Sequence, residues 1–138
     1  MEPDMEQKKK SGKPNFDGKL VGNEFIKYFY SIWQAGNITK FIDDNIICQY
    51  SKIQYQNTVY EGSQMLGFLS NIATTKPIFN LNQIEVFDTG SRQIQIMVYG
   101  EMIIENKINK FNQFHMIVYQ GEKVANKWSL TNSILIIS

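Results

Sequence analysis

Apolar residues recur at three- and four-residue steps near the start of the chain, and this spacing predicts an amphipathic helix. The pattern begins at Gly18 or Lys19 and stops at Ala35-Gly36, a pair typical of a helix end. The predicted inward face comprises Leu20, Val21, Phe25, Tyr28, Phe29, Ile32 and Trp33. The residues before this helix, 1–18, are almost entirely polar, and we expect them to form a flexible tail ahead of one domain spanning residues 19–138.

Two shorter helices are predicted next. The first runs to Asp44, with Asn37 as its cap and Ile38, Phe41 and Ile42 turned inward. The other begins at Glu61-Gly62-Ser63, and Thr74-Thr75-Lys76-Pro77 closes it. Its apolar face consists of Met65, Leu66, Leu69 and Ile72.

Strand patterns dominate the remainder of the chain. Residues 45–53 and 54–60 have strand character, and four longer segments follow at 78–87, 92–104, 111–119 and 128–137. Polar turns at 88–91, 105–109 and 120–127 separate the longer segments. In 92–104, Ile94, Ile96 and Val98 alternate with more polar residues, which indicates one fully apolar face. Helices followed by consecutive hairpins predict an α+β fold, with a helix layer on an antiparallel sheet.

Composition narrows the functional classes only slightly. With 138 residues, 43% of them hydrophobic, the chain has material for one core. A formal charge of +1 gives no field that would favour nucleic acid, and the single Cys48 excludes an internal disulfide. No apolar run reaches membrane-spanning length and no signal-peptide core is visible. We therefore expect a location in the cytoplasm or nucleus, with the mitochondrion as the alternative.

Several short motifs resemble the nuclear transport factor 2 (NTF2-like) family when they are taken in order. The Phe111-x-Gln113 motif, its polar turn and the Trp128 strand are similar to the last two strands of that family. The pattern is closest to the transport and scaffold branches, which include the partner subunit of the messenger-RNA export receptor and a stress-granule scaffold domain. The other motifs are Glu24-Phe25-Ile26, Phe29-Tyr30, Tyr60-Glu61-Gly62, Met97-Val98-Tyr99-Gly100, Val124-Ala125-Asn126-Lys127 and Thr131-Asn132. The resemblance implies a cone in which three helices close one side of a strongly bent sheet, with a pocket inside and a dimerisation face outside.

The outer sheet face is the predicted functional surface. The resemblance places Met97, Phe114 and Ile134 at positions that face a partner across a dimer interface. Met116 shares strand parity with Phe114: it comes two residues later in the strand, so both side chains point to the same face of the sheet. A partly apolar sheet surface with Met and Phe is typical of association. We therefore expect protein partners, in a homodimer or heterodimer, and a transport receptor or nucleoporins are candidates.

A second implied site is the loop between the long strand and the Phe-x-Gln strand, residues 105–110. In the transport-factor branch of the family, acidic residues of this loop bind the GDP-bound Ran GTPase. Here Glu105 is the one acidic residue, and Lys107 and Lys110 reverse the local charge, so partner lysines would be repelled. This loop favours partners other than Ran.

The implied cone pocket is where relatives divide into enzymes and binders. Phe111, Gln113, His115 and Trp128 are the expected pocket residues. Dehydratases and steroid isomerases of the family place an Asp or His there as a general base. His115 is the single histidine and has no acidic residue near it on its strand, so a structural role is favoured.

The remaining candidate sites favour ordinary structural explanations. Asp43-Asp44 resembles polar helix termination rather than a paired carboxylate site, because adjacent helix positions face different ways. The Lys8-Lys9-Lys10 run with Lys13 resembles a solvated terminus. No zinc spacing, phosphate loop or RNA-binding motif is present, and we expect neither a metal nor a cofactor.

Three functional hypotheses remain open. The first is a non-catalytic association module in nucleocytoplasmic transport of protein or messenger RNA. The second is an accessory subunit of a large assembly, such as a mitochondrial complex. The third is a small lyase or isomerase that uses His115, because this scaffold hosts both binders and enzymes.

Overall fold

The computed structural model describes residues 17–121 and 128–138, and within them it contains three helices and six strands. In chain order the elements are α1 (Gly18–Ala35), α2 (Thr39–Asp43), β1 (Lys52–Tyr55), β2 (Thr58–Glu61), α3 (Ser63–Ala73), β3 (Ile78–Asp88), β4 (Gln93–Ile104), β5 (Lys107–Tyr119) and β6 (Trp128–Ile137). The predicted lysine run and the Val124-Ala125-Asn126-Lys127 motif lie outside the described residues. Most of the predicted tail does too, and Gly18 is already helical.

Helix α1 begins and ends where the sequence predicts. The carboxylate of Asp17 accepts hydrogen bonds from the backbone N–H groups of Lys19 and Leu20, at 3.1 and 3.3 Å. Gly36 ends the helix in the left-handed conformation, with φ of 73°. The predicted inward face is wrong at two positions, because Leu20 and Tyr28 are exposed. The buried stripe comprises Gly22, Phe25, Ile26, Phe29, Tyr30, Ile32 and Trp33.

Two glycines let α1 lie close against strand β3. A Cβ atom at Gly22 would stand 2.7 Å from Cγ1 of Val86, and one at Gly18 would overlap the carboxylate of Asp88. Since a contact under 3.0 Å forces a neighbouring group to move, a larger residue at Gly22 would displace the Val86 side chain, whereas the exposed carboxylate of Asp88 can turn away from Gly18. This close approach brings the aromatic side chains of α1 into the core, against the inner face of the bent sheet.

The segment after α1 departs from prediction at several points. Helix α2 starts at Thr39, and Asn37 is not its cap. Phe41 is fully buried as expected, but Ile42 is 54% exposed. Residues 45–51 are not a strand, since Asn45 adopts a positive φ of 59° and turns the chain. They form a connection that buries both Ile46 and Ile47 against the core.

The sheet is mixed rather than antiparallel throughout. Its strand order is β2-β1-β6-β5-β4-β3, and every neighbouring pair is antiparallel except β1 and β6, which run parallel. The parallel pair arises because β6, the last strand, inserts beside β1, although α3 and four strands lie between them in the chain. Irregularities in the β3–β4 and β5–β6 pairings, at Leu81/Gln83 and Met116/Ile117, mark β-bulges that bend the sheet.

The core lies between the helices and the inner face of this bent sheet. Ile94, Ile96 and Val98 of β4 are fully buried, which confirms the predicted alternation. Rings from α1, α2 and β3 pack beside them in one cluster. Helix α3 is tied to α1 by the indole N–H of Trp33, which donates to the carbonyl of Leu69 at 2.9 Å. The architecture is therefore the expected α+β cone, with its interior filled by side chains.

Candidate functional site

An apolar row crosses the face of the sheet that points away from the core. Met97 of β4 pairs with Phe114 of β5, and Phe114 pairs with Ile134 of β6. Met116 lies two residues beyond Phe114 on the same face. The structure thus brings together all four residues predicted for an interface. We call this surface the outer face, and it comprises Met97, Tyr99, Asn112, Phe114, Met116, Ile134 and Ile136.

A cleft of about 410 Å³ opens on the outer face. Its lining is mostly apolar and consists of Met97, Tyr99, Asn112, Phe114, Ile134 and Ile136. The sequence prediction missed Tyr99 and Ile136 as members of this surface, although each shares strand parity with a residue that it did identify. Ile136 is 56% exposed and Phe114 is half-buried, so these large side chains remain open to a partner.

Polar residues flank the apolar row at both ends. Glu85 of β3 lies opposite Met97, and Gln54 of β1 lies opposite Ile134. The neighbouring row has the same arrangement, since Gln95 and Asn132 lie on either side of Met116. An apolar centre with a polar rim is the usual anatomy of a protein–protein interface.

The predicted partner loop is shorter than expected. Glu105 and Asn106 form a two-residue turn, and both have positive φ, at 49° and 65°. Lys107 and Lys110, predicted as loop residues, belong to strand β5 instead. Lys110 pairs across the sheet with Glu101, which places an opposite charge beside it. The predicted extent of the loop, 105–110, is therefore wrong, because Asn106 tolerates the left-handed conformation that a tight two-residue hairpin needs.

The four predicted pocket residues do not share a pocket. Phe111, Gln113 and His115 do point into the cone, as strand parity required, but each is at most 1% exposed. The rings of Phe29 and Tyr30 pack against His115, with centroids 5.0 and 5.8 Å from the imidazole. Aromatic residues from α1 thus occupy the space where an open pocket was expected.

A closed ring of hydrogen bonds joins four buried side chains inside the cone. The hydroxyl of Tyr30 lies 2.7 Å from Oε1 of Gln113 and 2.9 Å from Nε2 of His115. The hydroxyl of Ser133 lies 2.8 Å from Nε2 of Gln113 and 3.2 Å from Nδ1 of His115. We call these four residues the polar ring. Tyr30 and Ser133 were not predicted as members of this ring, because each is distant in the chain from the residues that it contacts.

Counting donors and acceptors assigns the tautomer of His115. The amide of Gln113 must donate to Ser133, so the Ser133 hydroxyl is free to donate to Nδ1 of His115. Nε2 then carries the proton and donates to Tyr30, whose hydroxyl donates to Oε1 of Gln113. Each of the four contacts then has one donor and one acceptor. The opposite tautomer would leave the Ser133 hydroxyl without an acceptor in the ring.

Burial makes the polar ring uncharged. Desolvation lowers the pKa of His115 to about 3, and it raises the pKa of Tyr30 well above its ordinary value. A general base works best with a pKa near the operating pH and with access to a substrate proton. Both nitrogens of His115 are already hydrogen-bonded to protein groups, so this histidine is arranged to hold structure together.

Two other clefts lie outside the polar ring. Trp128, the fourth predicted pocket residue, lines a groove of about 660 Å³ along helix α1 together with Val21, Phe25 and Tyr28. Between α3 and the sheet, a cleft of about 320 Å³ is lined mainly by Tyr55, Phe68, Ile72, Met102, Ile104 and Ile137. His115 lines neither of these clefts.

The carboxylates of Asp43 and Asp44 do not form a pair. Asp44 accepts a hydrogen bond from the Tyr28 hydroxyl and forms an ion pair with Lys40 at 3.3 Å. The hydrogen bond from Tyr28 lowers the pKa of Asp44, and the same bond raises the pKa of Tyr28. The contacts of Asp44 tie helix α2 to helix α1, as expected for a structural residue.

Two further features are absent from residues 17–121 and 128–138. Among these residues, no group of three or more His, Cys, Asp or Glu side chains is placed to hold a metal ion. In the same part of the chain, no helix is long and apolar enough to cross a membrane.

Comparison with known proteins identifies the fold by structure alone. No protein-family model matches the sequence, and no curated protein matches it either. Nuclear transport factor 2 from Cryptosporidium parvum is similar in structure, with a TM-score of 0.75 and 13% sequence identity, over 91% of this chain and 98% of that one. The yeast UBP3-associated protein BRE5 is similar with a TM-score of 0.70 and 16% identity, over 90% and 98% of the two chains.

An enzyme-like protein has the same architecture. A ketosteroid isomerase-like protein from Shewanella frigidimarina is similar with a TM-score of 0.70 and 12% identity, over 83% of this chain and 94% of that one. At these identities the likeness concerns the fold, and transport factors, scaffold partners and isomerase-like proteins all share it. The chain therefore has the nuclear transport factor 2-like fold.

Proposed function

We propose that this protein is a non-catalytic association module that binds a protein partner through the outer face, as one half of a homodimer or heterodimer. The observation that carries the proposal is the apolar row Met97–Phe114–Ile134, which crosses three adjacent strands and is only partly buried. Leaving such a patch in water is unfavourable, at roughly 25 cal/mol for each Å² of apolar surface, and association removes that cost.

The composition of the outer face suits a partner protein. Met and Phe adapt to the shape of an opposing surface and contribute large contact areas, and such residues are enriched at interfaces. The polar rim, with Glu85 and Gln54 at the ends of the row, keeps the surface soluble before a partner binds. Phe114 stands at the centre of the row, where a buried aromatic anchor has most effect on affinity.

The interior of the cone also favours binding over catalysis. Enzymes on this scaffold need a titratable group that a substrate can reach. His115 is fully buried, and its ring nitrogens are engaged by Tyr30 and Ser133. The position where a base was expected therefore serves the packing of the cone.

Two structural neighbours support the choice of partner class. BRE5 is a UBP3-associated protein and the cofactor in a complex with the deubiquitinase Ubp3, which supports a protein partner for this chain as well. The likeness to nuclear transport factor 2 supports a role in nucleocytoplasmic transport as the setting for association. The turn at Glu105 and the strand position of Lys107 favour a transport partner other than Ran.

A mass measurement tests the proposal. Sedimentation equilibrium of the purified protein, together with a pull-down from its own cell extract, is expected to show a dimer or a stoichiometric partner complex. The variant M97E/F114E buries two unpaired charges at the centre of the outer face, and we expect it to be monomeric and to lose the partner. Leu20→Glu is the matched control, because Leu20 is 57% exposed on helix α1, away from the outer face.

Two results would contradict the proposal. One is a wild-type protein that is monomeric and recovers no stoichiometric partner. The other is an M97E/F114E variant that keeps the same assembly as the wild type. Circular dichroism of each variant checks that the fold is retained.

A further inference from the structure

The hydrophobic pattern of the last two strands does not by itself define how they pair. In β6, Ile134, Leu135, Ile136 and Ile137 are apolar on both faces of the strand. In β5, the residues from Met116 to Val118 are likewise apolar at every position. Along Ile134–Ile137, a one-residue slip would exchange one apolar side chain for another on each face, so the burial of this segment distinguishes the registers weakly.

The polar ring distinguishes them strongly. His115 of β5 lies directly opposite Ser133 of β6 in the observed register, and the amide of Gln113 reaches the same hydroxyl. A one-residue slip would turn Ser133 toward the outer face. A two-residue slip would keep it inside but move it away from its partners. Either shift would leave buried groups of Gln113 and His115 without hydrogen bonds, which is costly in an apolar interior.

Tyr30 of helix α1 also takes part in selecting the register of β5 and β6. Its hydroxyl contacts both Gln113 and His115, from a position 83 and 85 residues earlier in the chain. Within the described residues, no buried side-chain nitrogen or oxygen lacks a hydrogen-bond partner, so the ring is complete in this register. The same register puts Phe114 opposite Ile134 on the outer face.

We propose that the polar ring of Tyr30, Gln113, His115 and Ser133 selects the pairing register of β5 and β6, and thereby positions the apolar row of the outer face for association. These four are positioning residues, since they touch no partner themselves. Buried polar groups that specify register at some expense of stability are known from helical assemblies, and the ring does the same for a sheet. The link to association rests on the proposed function.

The test replaces the whole ring with apolar residues of similar shape, in the variant Y30F/Q113L/H115F/S133A. Removing every member together leaves no polar group unpaired, so the variant is expected to fold with stability near that of the wild type. Nuclear Overhauser contacts between β5 and β6 report the register directly. We expect the wild type to show one register and the variant to show additional, shifted contacts or exchange broadening in β6.

Association supplies the second readout. The apparent affinity should fall in proportion to the fraction of molecules that retain the native register. Tyr28→Phe, which removes a hydroxyl from the exposed side of α1, is the control and should change neither readout. If the fourfold variant does not fold, Q113L/S133A removes the side-chain hydrogen bonds of the polar ring that join β5 to β6, and it keeps the contact of Tyr30 with His115.

The outcomes separate this inference from the proposed function. A folded ring variant that keeps a single native register would overturn the selection of register. A shifted register with wild-type affinity would overturn the link to the outer face. A wild-type protein that does not associate would instead refute the proposed function, while the contacts between β5 and β6 still test the ring.

Discussion

Mild acidification is expected to destabilise the protein through the buried imidazole of His115. The folded-state pKa is about 3, below the ordinary value of 6.5, because burial disfavours the charged form. The unfolded chain therefore binds a proton first as the pH falls. The stabilising contribution of the neutral imidazole is fully present above pH 6.5 and is lost progressively as the pH falls toward about 3.

The magnitude follows from this difference in pKa. Between about pH 7.5 and about pH 5.5, the unfolded state gains most of one proton at this site and the folded state gains almost none. The free energy of unfolding should then fall by about 1.4 kcal/mol. His115 is the single histidine of the chain, and most carboxylates titrate below this window. The change can therefore be assigned to one residue.

Urea denaturation at a series of pH values and one protein concentration measures the effect. The variant His115→Leu should lose this pH dependence, whatever its absolute stability, because it has no group that titrates in the window. Tyr30→Phe is the matched control, since it alters the polar ring but keeps the imidazole, and its pH dependence should persist. A wild-type protein whose stability is unchanged across the window, or a leucine variant with the same slope, would refute the reasoning.

Three further predictions concern the packing and the polar ring. Gly67→Ala, in open space on α3, should raise the free energy of unfolding by about 1 kcal/mol. Gly22→Ala should instead lower the free energy of unfolding by about 1–3 kcal/mol, because its Cβ meets Val86. Chemical denaturation compares the two, and an equal gain at both sites would disprove the close helix–strand contact. Asp17→Ala should lower the free energy of unfolding by about 1 kcal/mol in the same assay through loss of the α1 cap, and an unchanged value would contradict the capping role. Nitrogen-15 spectra of His115 near neutral pH should show a neutral ring protonated at Nε2, and protonation at Nδ1 would contradict the assigned ring of hydrogen bonds.

Local patterns in the sequence were sufficient for most elements and for the outer face. The periodicity of α1, its Gly36 end and the alternation around Ile96 depend on residues close together in the chain, and all three appear in the structure. Met97, Phe114 and Ile134 were placed on one surface from strand parity and the family resemblance, and the observed register aligns them in one row. Strand parity determines which face a side chain occupies before any pairing is known.

Tertiary structure decided the interior and the order of the strands. The sequence does not reveal that β6 would insert beside β1 in parallel, nor that rings from α1 would fill the expected pocket. Tyr30 meets Gln113 and His115 across more than eighty residues of chain, so no local pattern could identify the polar ring. Side-chain parity follows from backbone geometry within one strand, whereas packing and buried hydrogen bonds depend on which distant elements meet.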